Sequence, residues 1–396
     1  MNNASHHRDG MFSLVVFCAF LLLAFIPATN FAASSFTGLG DRFKPEALSG
    51  DGKVVVSHYG GQILLWSSTG GITRVGKSQD NWMGHVRAVS YDGSVVVGTV
   101  TIRLPDLPLD VATKTKVHYT QFRDEAFRWT AAGGLQTLGY LADGHHYSSA
   151  DAVSSDGSVV VGDSYGIPGD SIGGAYRWTQ ATGMIRLGTL SGTDNDGQAK
   201  SVSGDGTVVV GVVLSASGDQ AFRWTAATGM VGLGKLPVKK SRTGASAISK
   251  DGMVIVGFSQ DEAFRWTATS GMVGLGKLRG CVHTNALALS GDGSVIVGVA
   301  TLPLPWFSFL SVGAPKPDSI PFVWDNVNGM RDLKSVLTKD YNLDLTGWKL
   351  TSATGISADG MTIVGHGSSK DNGGSASWIA HLDYPVNAPP RKEPKK

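Results

Sequence analysis

A unit of roughly 40 to 50 residues, the size of one propeller blade, recurs along this chain. Its most regular copy is Ala245–Leu278, which contains the pair Asp251-Gly252, a glycine six residues after that aspartate (Gly257), and Trp266. A serine stands two residues before every such aspartate. The Asp-Gly pair with this preceding serine occurs seven times, at Asp51, Asp92, Asp156, Asp205, Asp251, Asp292 and Asp359. A repeat of this kind constrains the fold more strongly than length or composition does.

Each unit has the pattern of four short strands. An alternating segment precedes the Asp-Gly pair and a β-branched run such as Ser94–Val97 follows it. Asp-Gly between two such runs indicates a β-hairpin, because glycine accepts the positive φ of the turn. The third strand carries the tryptophan, and the fourth is typified by Met272–Gly276. Seven units of four antiparallel strands predict an all-β, seven-bladed β-propeller over residues 34–382.

The two ends of the array complement each other. The seventh unit has no fourth strand, because the chain after Trp378 runs into Pro385, Pro389 and Pro390. The missing strand is present near the other end, where Phe36–Gly40 matches Met230–Gly234 almost position for position. We therefore expect Phe36–Gly40 to complete the last blade. Closing the ring in this way removes exposed sheet edges.

Three insertions lengthen the units. Thr101–Phe122 and Ala300–Pro321 separate second and third strands, and Lys334–Thr351 separates a fourth strand from the next first strand. In an up-and-down blade both kinds of connection emerge on one side, so we expect all three on one face of the ring. Proline-rich apolar loops on one face indicate a contact surface or segments that fold back over the ring. The candidate partner-binding residues are Leu104, Leu107, Leu304, Trp306 and Phe307.

The chain begins with a pattern typical of a secretory signal. Arg8 precedes an apolar run, Phe12–Ile26, and small residues follow at Ala32 and Ala33. The run is shorter than the roughly 20 residues that span a bilayer. We expect residues 1–33 to be a signal peptide, no membrane span after its removal, and a secreted, extracellular or periplasmic protein. Cys281 would then be the remaining cysteine, so no intrachain disulfide forms.

Composition excludes some partners. The formal net charge is +2, which is too small to indicate a nucleic-acid partner. We expect a monomer whose partner is a protein or a glycan, and we assign no cofactor. The tail 383–396 is rich in proline and lysine, a composition typical of disorder.

The repeated aromatic and arginine residues have structural explanations. In Phe-Arg-Trp, strand alternation sends phenylalanine and tryptophan to one face and arginine to the other. We expect the seven tryptophans to fill the cores between blades. The arginines are expected to pair with an aspartate of their own or an adjacent blade, the hairpin aspartate being the obvious candidate, rather than to form an anion site. They are Arg128, Arg177, Arg223 and Arg265.

Two polar loops could hold a metal ion. Asp143, His145 and His146 lie in one, and Asp194 and Asp196 lie in the equivalent connection of the next unit. Neither spacing matches a zinc site or a calcium-binding EF-hand loop, so solvated loops are favoured. Cys281 is likewise expected to be a loop thiol.

The recurring A-x-S-x-D-G-x-V-V-V-G, A-F-R-W-T and G-M-x-x-L-G-x-L resemble the repeat of the HAF family of extracellular bacterial proteins, and Gly347–Ile356 resembles the start of a late repeat in that family. The resemblance covers about residues 36–382 and implies export and a propeller, with no established activity and no catalytic residues. The histidine of the family motif is replaced here by Glu125, Gly174, Gln220 and Glu262.

Two classes of function follow. The favoured one is an exported, non-catalytic binding or adhesion scaffold that uses the loop insertions on one face. The alternative is a secreted glycan-processing enzyme, a hydrolase or lyase, with its site at the mouth of the central channel. The sequence contains no G-x-S-x-G elbow, P-loop or H-E-x-x-H motif, and so names no catalytic residue.

Overall fold

The computed structural model describes residues 33–40, 42–75, 82–103, 122–141, 147–166, 173–190, 197–214, 218–237, 242–304, 317–370 and 374–388. In chain order the first strands are β1 (Ser35–Gly40), β2 (Ala47–Leu48), β3 (Val54–Tyr59), β4 (Gln62–Ser67), β5 (Gly71–Val75), β6 (Trp82–Val89), β7 (Val95–Arg103), β8 (Phe122–Thr130) and β9 (Gly134–Thr137). The next are β10 (Tyr147–Val153), β11 (Val159–Tyr165), β12 (Gly174–Thr179), β13 (Gly183–Arg186), β14 (Gly197–Val202), β15 (Val208–Val213), β16 (Gln220–Thr225) and β17 (Gly229–Gly232).

The second half of the chain repeats the same order. It comprises β18 (Thr243–Ile248), β19 (Ile255–Ser259), β20 (Glu262–Thr267), β21 (Gly271–Gly274), β22 (His283–Leu289), β23 (Val295–Thr301), β24 (Ser319–Asp325), β25 (Gly329–Asp332), the helix α1 (Leu333–Lys339), β26 (Trp348–Ile356), β27 (Thr362–Ser369) and β28 (Gly374–His381). No helix in these described ranges is long and apolar enough to cross a membrane.

The strands form seven four-stranded antiparallel sheets. Blades 1 to 6 are β2–β5, β6–β9, β10–β13, β14–β17, β18–β21 and β22–β25, and blade 7 is β26–β27–β28–β1. The first strand of each blade contacts the first strand of the next, so these seven inner strands surround the central channel. The seven-bladed propeller is confirmed.

Ring closure by the N-terminal strand is also confirmed. β1 pairs antiparallel with β28, with Phe36 opposite Ala380 and Gly38 opposite Trp378. The Phe36 ring packs edge-on against Trp348, with centroids 5.1 Å apart. A Cβ on Gly38 would lie 2.8 Å from that indole. The first strand of the propeller therefore closes on the last blade through backbone pairing and aromatic packing.

The hydrophobic core is divided into seven clusters, one at each seam between neighbouring blades. Every repeat tryptophan belongs to or packs against one of them, as the sequence predicts. Trp129 and Trp178 are buried, whereas Trp66 and Trp266 are half-buried. The fully buried aromatic of the motif is the one two residues earlier, such as Phe127.

Trp378 is not equivalent to the other six tryptophans. It lies opposite Gly365, just as Phe127 lies opposite Gly98, so it occupies the phenylalanine position of the motif. Ala380, opposite Ile363, stands at the tryptophan position. The larger ring fits there because Gly365 leaves room, and the Trp378 Nε1 donates to the His366 carbonyl at 2.9 Å.

The third insertion folds back onto the ring. Asp332 caps α1 by accepting from the Lys334 backbone N–H. The helix buries Leu333 and Leu337 in the core between blades 6 and 7. Residues after 382, for which the sequence predicts disorder, begin with a packed segment: Tyr384 stacks on Tyr341 with ring centroids 4.6 Å apart. Apolar and aromatic residues interrupt the proline-rich composition here, which accounts for the ordered start of the tail.

Candidate functional site: the mouth of the central channel

The Asp-Gly hairpins surround one end of the channel. In blade 2 the Ser90 hydroxyl donates to Asp92 and accepts from the Val95 N–H, which explains the serine two residues before every repeat aspartate. The residue between serine and aspartate is hydrogen-bonded through its backbone to the next blade. These bonds form a closed circle through Gly50 and Asp51, Tyr91, Ser155, Gly204, Lys250, Gly291 and Ala358.

Two side chains meet across this circle. Lys250 of blade 5 reaches across to Tyr91 of blade 2, with its Nζ 4.3 Å from the ring centroid. Gly50 and Gly204 make room, since a Cβ on either would lie within 2.6 Å of Tyr91 or Lys250. The level above is an apolar collar of Leu48, Val89, Val153, Val202, Ile248, Leu289 and Ile356.

The inner strands carry a repeated bulge. In blade 2 the register shifts between Val86 and Ala88, leaving Arg87 as the extra residue. The same shift leaves Asp151 in blade 3 and Lys200 in blade 4. Bulges aim a side chain out of the ladder and are frequent beside functional sites. The seven equivalent positions, each five residues before a hairpin aspartate, are Glu46, Arg87, Asp151, Lys200, Ser246, Leu287 and Thr354.

Charge at this level is confined to four consecutive blades and alternates in sign. Blades 1 to 4 carry Glu46, Arg87, Asp151 and Lys200, whereas blades 5 to 7 carry neutral side chains. The Lys200 Nζ lies 2.8 Å from the Asp151 carboxylate, and the Arg87 Nε lies 3.9 Å from it. The Asp151 side chain is only 8% exposed, so its charge is desolvated and held by two cations.

Arg87, Asp151 and Lys200 line a cavity of about 650 Å³, here called the mouth cavity. It lies beside the inner strands of blades 2, 3 and 4, at the channel end opposite the Tyr91–Lys250 contact. Its polar lining includes His85, Arg87, Asp151, Asp163, Gln198 and Lys200. Donors and acceptors thus alternate around one opening.

Asp163 is the most perturbed acid in the cavity. It follows Gly162 on β11 and accepts from the Ser149 hydroxyl at 2.9 Å. Burial, and next the charge of Asp151, raise the pKa of Asp163 to about 6, against the opposing effects of Lys200 and the Ser149 hydrogen bond. Desolvation disfavours the ionised carboxylate. Asp163 therefore keeps its proton to a higher pH than an ordinary aspartate does.

A histidine pair extends the polar cluster into blade 1. The His58 Nε2 lies 3.1 Å from the His85 Nδ1, and Glu46 lies 3.8 Å from the other nitrogen of His58. Burial lowers the pKa of His58, and the nearby charges of His85 and Arg87 add to the effect. Burial raises the pKa of Glu46, opposed chiefly by Arg87. His58 is thus favoured in its neutral form.

Exposed aromatic side chains lie at the same face. Tyr165 ends β11, lines the mouth cavity and stacks on Tyr147 with ring centroids 5.3 Å apart. Tyr59 at the end of β3 and Phe122 at the start of β8 are each 53% exposed. All these strand ends belong to blades 1 to 3, the blades that also carry the charged bulge residues.

Most of the partner-binding residues that the sequence predicts cannot be compared with this site. Leu104, Leu107, Trp306 and Phe307 lie outside the described residues, and Leu304 is half-buried. The strand ends that flank the first two insertions lie at the mouth face, since Arg103 pairs with Phe122 and Thr301 pairs with Ser319.

The predicted metal-loop residues Asp143, His145, His146, Asp194 and Asp196 also lie outside the described ranges. Within those ranges, no three histidine, cysteine or acidic side chains are grouped closely enough to hold a metal ion.

Two of the four repeat arginines, Arg128 and Arg177, contact the hairpin of the next blade but not its aspartate, whereas the Arg265 Nε is buried without a hydrogen-bond partner among the described residues. The Arg128 Nε donates to the Gly157 carbonyl and the Arg177 Nε to the Gly206 carbonyl, each at 3.0 Å. The aspartates of those hairpins, Asp156 and Asp205, accept from serine and threonine instead. The arginines were predicted to bind an aspartate of their own or an adjacent blade. For Arg128 and Arg177 the adjacent blade is correct, but the acceptor is a glycine carbonyl and not the aspartate.

The charged bulge residues are not among the sites predicted from the sequence. The pattern that could have revealed them is the residue five positions before each hairpin aspartate, whose charge alternates in sign over the first four repeats. The bulge that turns this position toward the channel cannot be read from strand alternation, because it breaks that alternation.

Comparison with solved structures supports the fold. The chain is similar to oligogalacturonate lyase from Vibrio parahaemolyticus, with a TM-score of 0.53 at 11% identity over 88% of this chain and 97% of that one. It is also similar to an inactive virginiamycin B lyase from Staphylococcus aureus with quinupristin (TM-score 0.48, 13% identity, 88% and 99% covered) and to TolB from Acinetobacter baumannii (0.38, 12%, 74% and 61%). No family model and no curated protein matches the sequence.

Proposed function

We propose that this protein is an exported binding module that takes an oligosaccharide into the mouth cavity. The observation that carries the proposal is the alternating set Arg87, Asp151 and Lys200, which four-stranded blades project into one cavity through equivalent bulges. The HAF resemblance and the signal-like N-terminus support export.

The charge balance favours a hydroxyl-rich ligand over an ion. Arg87 and Lys200 supply donors, while Asp151 and Asp163 supply acceptors. Asp124 is a third acid in the lining, so the two cations and the three acids present both signs of charge to a ligand. A sugar hydroxyl both donates and accepts hydrogen bonds and can use both kinds of side chain.

Aromatic exposure supports the same ligand class. Tyr165 at the cavity, with Tyr59 and Phe122 on the same face, offers flat apolar surface beside polar groups. Ligand sites commonly combine apolar walls with a few placed polar groups. The insertions that leave Arg103 and Leu302 begin on this face and would extend the contact area.

Isothermal titration calorimetry against a panel of neutral oligosaccharides tests the proposal. Lys200→Met would leave Asp151 with a weaker ion pair, and we expect affinity to fall about tenfold or more, as for a lost charged hydrogen bond. The matched control is Ser246→Ala at the equivalent bulge of blade 5, which should bind like the wild type. Equal affinities of Lys200→Met and wild type would contradict the proposed site.

The insertions are tested separately. The Leu302 N–H donates to the Asp318 carbonyl at 2.9 Å, so a two-residue turn can replace residues 304–316 without disturbing β23 or β24. If the insertion contributes to the contact surface, this variant keeps its melting temperature and loses affinity. Unchanged affinity would confine binding to the mouth cavity.

A further inference from the structure

The mouth cavity contains two carboxyl groups in different environments, Asp151 and Asp163. Asp151 is held as an ion pair by Lys200 at 2.8 Å. Asp163 lies one strand away, on β11, and is buried. Both line the same opening, and their charges are close enough to influence each other. Neither is a repeat feature, since the equivalent residues of blade 4 are Lys200 and Val212.

The hydrogen bonds of Asp163 leave one of its oxygens available. Its Oδ1 accepts from the Ser149 hydroxyl, while Oδ2 has no hydrogen-bond partner among the side chains that the structure describes. Asp163 itself lines the mouth cavity. A proton on Oδ2 would therefore be presented to a ligand in the cavity.

We propose that the mouth cavity hydrolyses a glycosidic bond of the saccharide it binds, with Asp163 as general acid and Asp151 as the ionised carboxylate of the pair. This inference rests on the proposed saccharide binding. Glycosidic cleavage uses a pair of carboxyl groups, of which one donates a proton to the leaving oxygen and the other stabilises the sugar cation.

The step balances with water as the co-reactant. Asp163 transfers its proton to the glycosidic oxygen as the bond from that oxygen to the anomeric carbon breaks. The positive charge that develops on the sugar ring is stabilised by the Asp151 carboxylate. Water then forms a new bond to the anomeric carbon and gives its proton to Asp163, so both carboxyl groups return to their starting states.

Lys200 and Arg87 act as positioning residues for Asp151. They contact the same carboxylate from the two neighbouring blades and so fix its position in the cavity, where its side chain is only 8% exposed. The raised pKa of Asp163 matches a group that donates a proton near neutral pH. Asp163 contacts a neutral serine hydroxyl, whereas Asp151 contacts a lysine. We therefore assign proton donation to Asp163 and stabilisation of the sugar cation to Asp151.

The test uses chromogenic glycosides with two leaving groups. The purified full chain is incubated with p-nitrophenyl and 2,4-dinitrophenyl glycosides of glucose, galactose, mannose and xylose, each as both anomers. Any oligosaccharide bound in calorimetry is assayed for new reducing ends. A general acid matters for the poorer leaving group and little for the better one. Asp163→Asn should slow p-nitrophenyl release about 10²- to 10⁴-fold and 2,4-dinitrophenyl release far less.

The variants separate catalysis from structure. Asp151→Asn should slow both substrates, because stabilisation of the sugar cation does not depend on the leaving group. Ser246→Ala at the equivalent bulge of blade 5 is the control and should match wild type. Asp163→Asn should also remove the limb of the pH–rate profile near pH 6. Equal slowing of both substrates by Asp163→Asn would refute the general-acid role.

Binding and hydrolysis fail in different ways. If the wild type binds an oligosaccharide but releases no reducing ends from it and no chromophore from any glycoside, hydrolysis is wrong and saccharide binding stands. If no oligosaccharide binds, the proposed function itself is wrong. Melting temperatures of all variants identify any loss that comes from unfolding.

Discussion

Lys250 places its ammonium 4.3 Å from the centre of the Tyr91 ring, although the two residues belong to blades 5 and 2, on opposite sides of the channel. The contact lies on the circle of backbone hydrogen bonds that joins all seven hairpins. It links opposite sides of the ring at the hairpin end of the channel.

This contact predicts a measurable coupling. A cation over a tyrosine face contributes about 0.5–1 kcal/mol at a partly solvated site. In a double-mutant cycle with Lys250→Met and Tyr91→Leu, urea unfolding should give a coupling free energy of that size. Purely additive effects would show that the two side chains are neighbours without an energetic link.

The repeat glycines are expected to be intolerant of a single methyl group. A Cβ on Gly162 would lie 1.9 Å from the Ser149 carbonyl oxygen, because the bulged inner strand approaches β11 closely there. Gly162→Ala should lower the free energy of unfolding by about 3 kcal/mol, as overpacking of a dense core does. Gly232→Ala is the control, since the nearest atom to its Cβ lies at 3.8 Å and stability should hardly change.

Closure of the ring by β1 can be tested without deleting it. Phe36→Ala removes contacts to Trp348 and Trp378 and should destabilise the protein by about 2–3 kcal/mol, less than a fully buried phenylalanine. Thr37→Ala on the exposed side of the same strand is the control. A deletion of residues 33–42 should lower the melting temperature further; an unchanged melting temperature would contradict closure.

Asp163 predicts how stability depends on pH. Its pKa of about 6 in the folded protein lies above the ordinary 3.8, so folding favours the protonated form. The stabilising contribution is therefore complete below pH 3.8 and is lost as pH rises through 6. Relative to Asp163→Asn, the wild type should lose up to about 3 kcal/mol over this range, at about 1.4 kcal/mol per pKa unit. Chemical unfolding of both proteins at pH 4 and pH 7 measures the difference. If the free energy of unfolding changes equally with pH in the wild type and in Asp163→Asn, then Asp163 is solvated and its pKa is not raised.

Local sequence patterns predicted the blades because the turn residues and strand residues of each repeat favour the conformation that they adopt in the fold. Asp92-Gly93 specifies a hairpin, since Gly93 has a φ of 78°, and Ser90 satisfies the Val95 N–H. The match between Phe36–Gly40 and the fourth strands predicted closure without any structure. Trp378 was grouped with the other repeat tryptophans because its distance from the Asp-Gly pair is similar. Spacing alone does not reveal that it lies two residues earlier in its strand, at the phenylalanine position.

The candidate site could not be predicted from patterns within one repeat. Arg87, Asp151 and Lys200 are separated by roughly one repeat each in sequence, and they meet because the inner strands converge at the channel. Their orientation depends on bulges, which interrupt the period of two from which strand faces are inferred. The hydrogen-bond partner of Arg128 likewise belongs to the next blade.

The sequence by itself determined the number of blades, the hairpin chemistry and the closing strand, because these depend on residues within one repeat or on the likeness between repeats. Tertiary structure alone decided that Lys250 meets Tyr91 across the channel, which side chains face the mouth cavity, and that Asp163 is desolvated beside Asp151. Those properties arise from the distances between blades, and a linear pattern carries no information about such distances until the ring has closed.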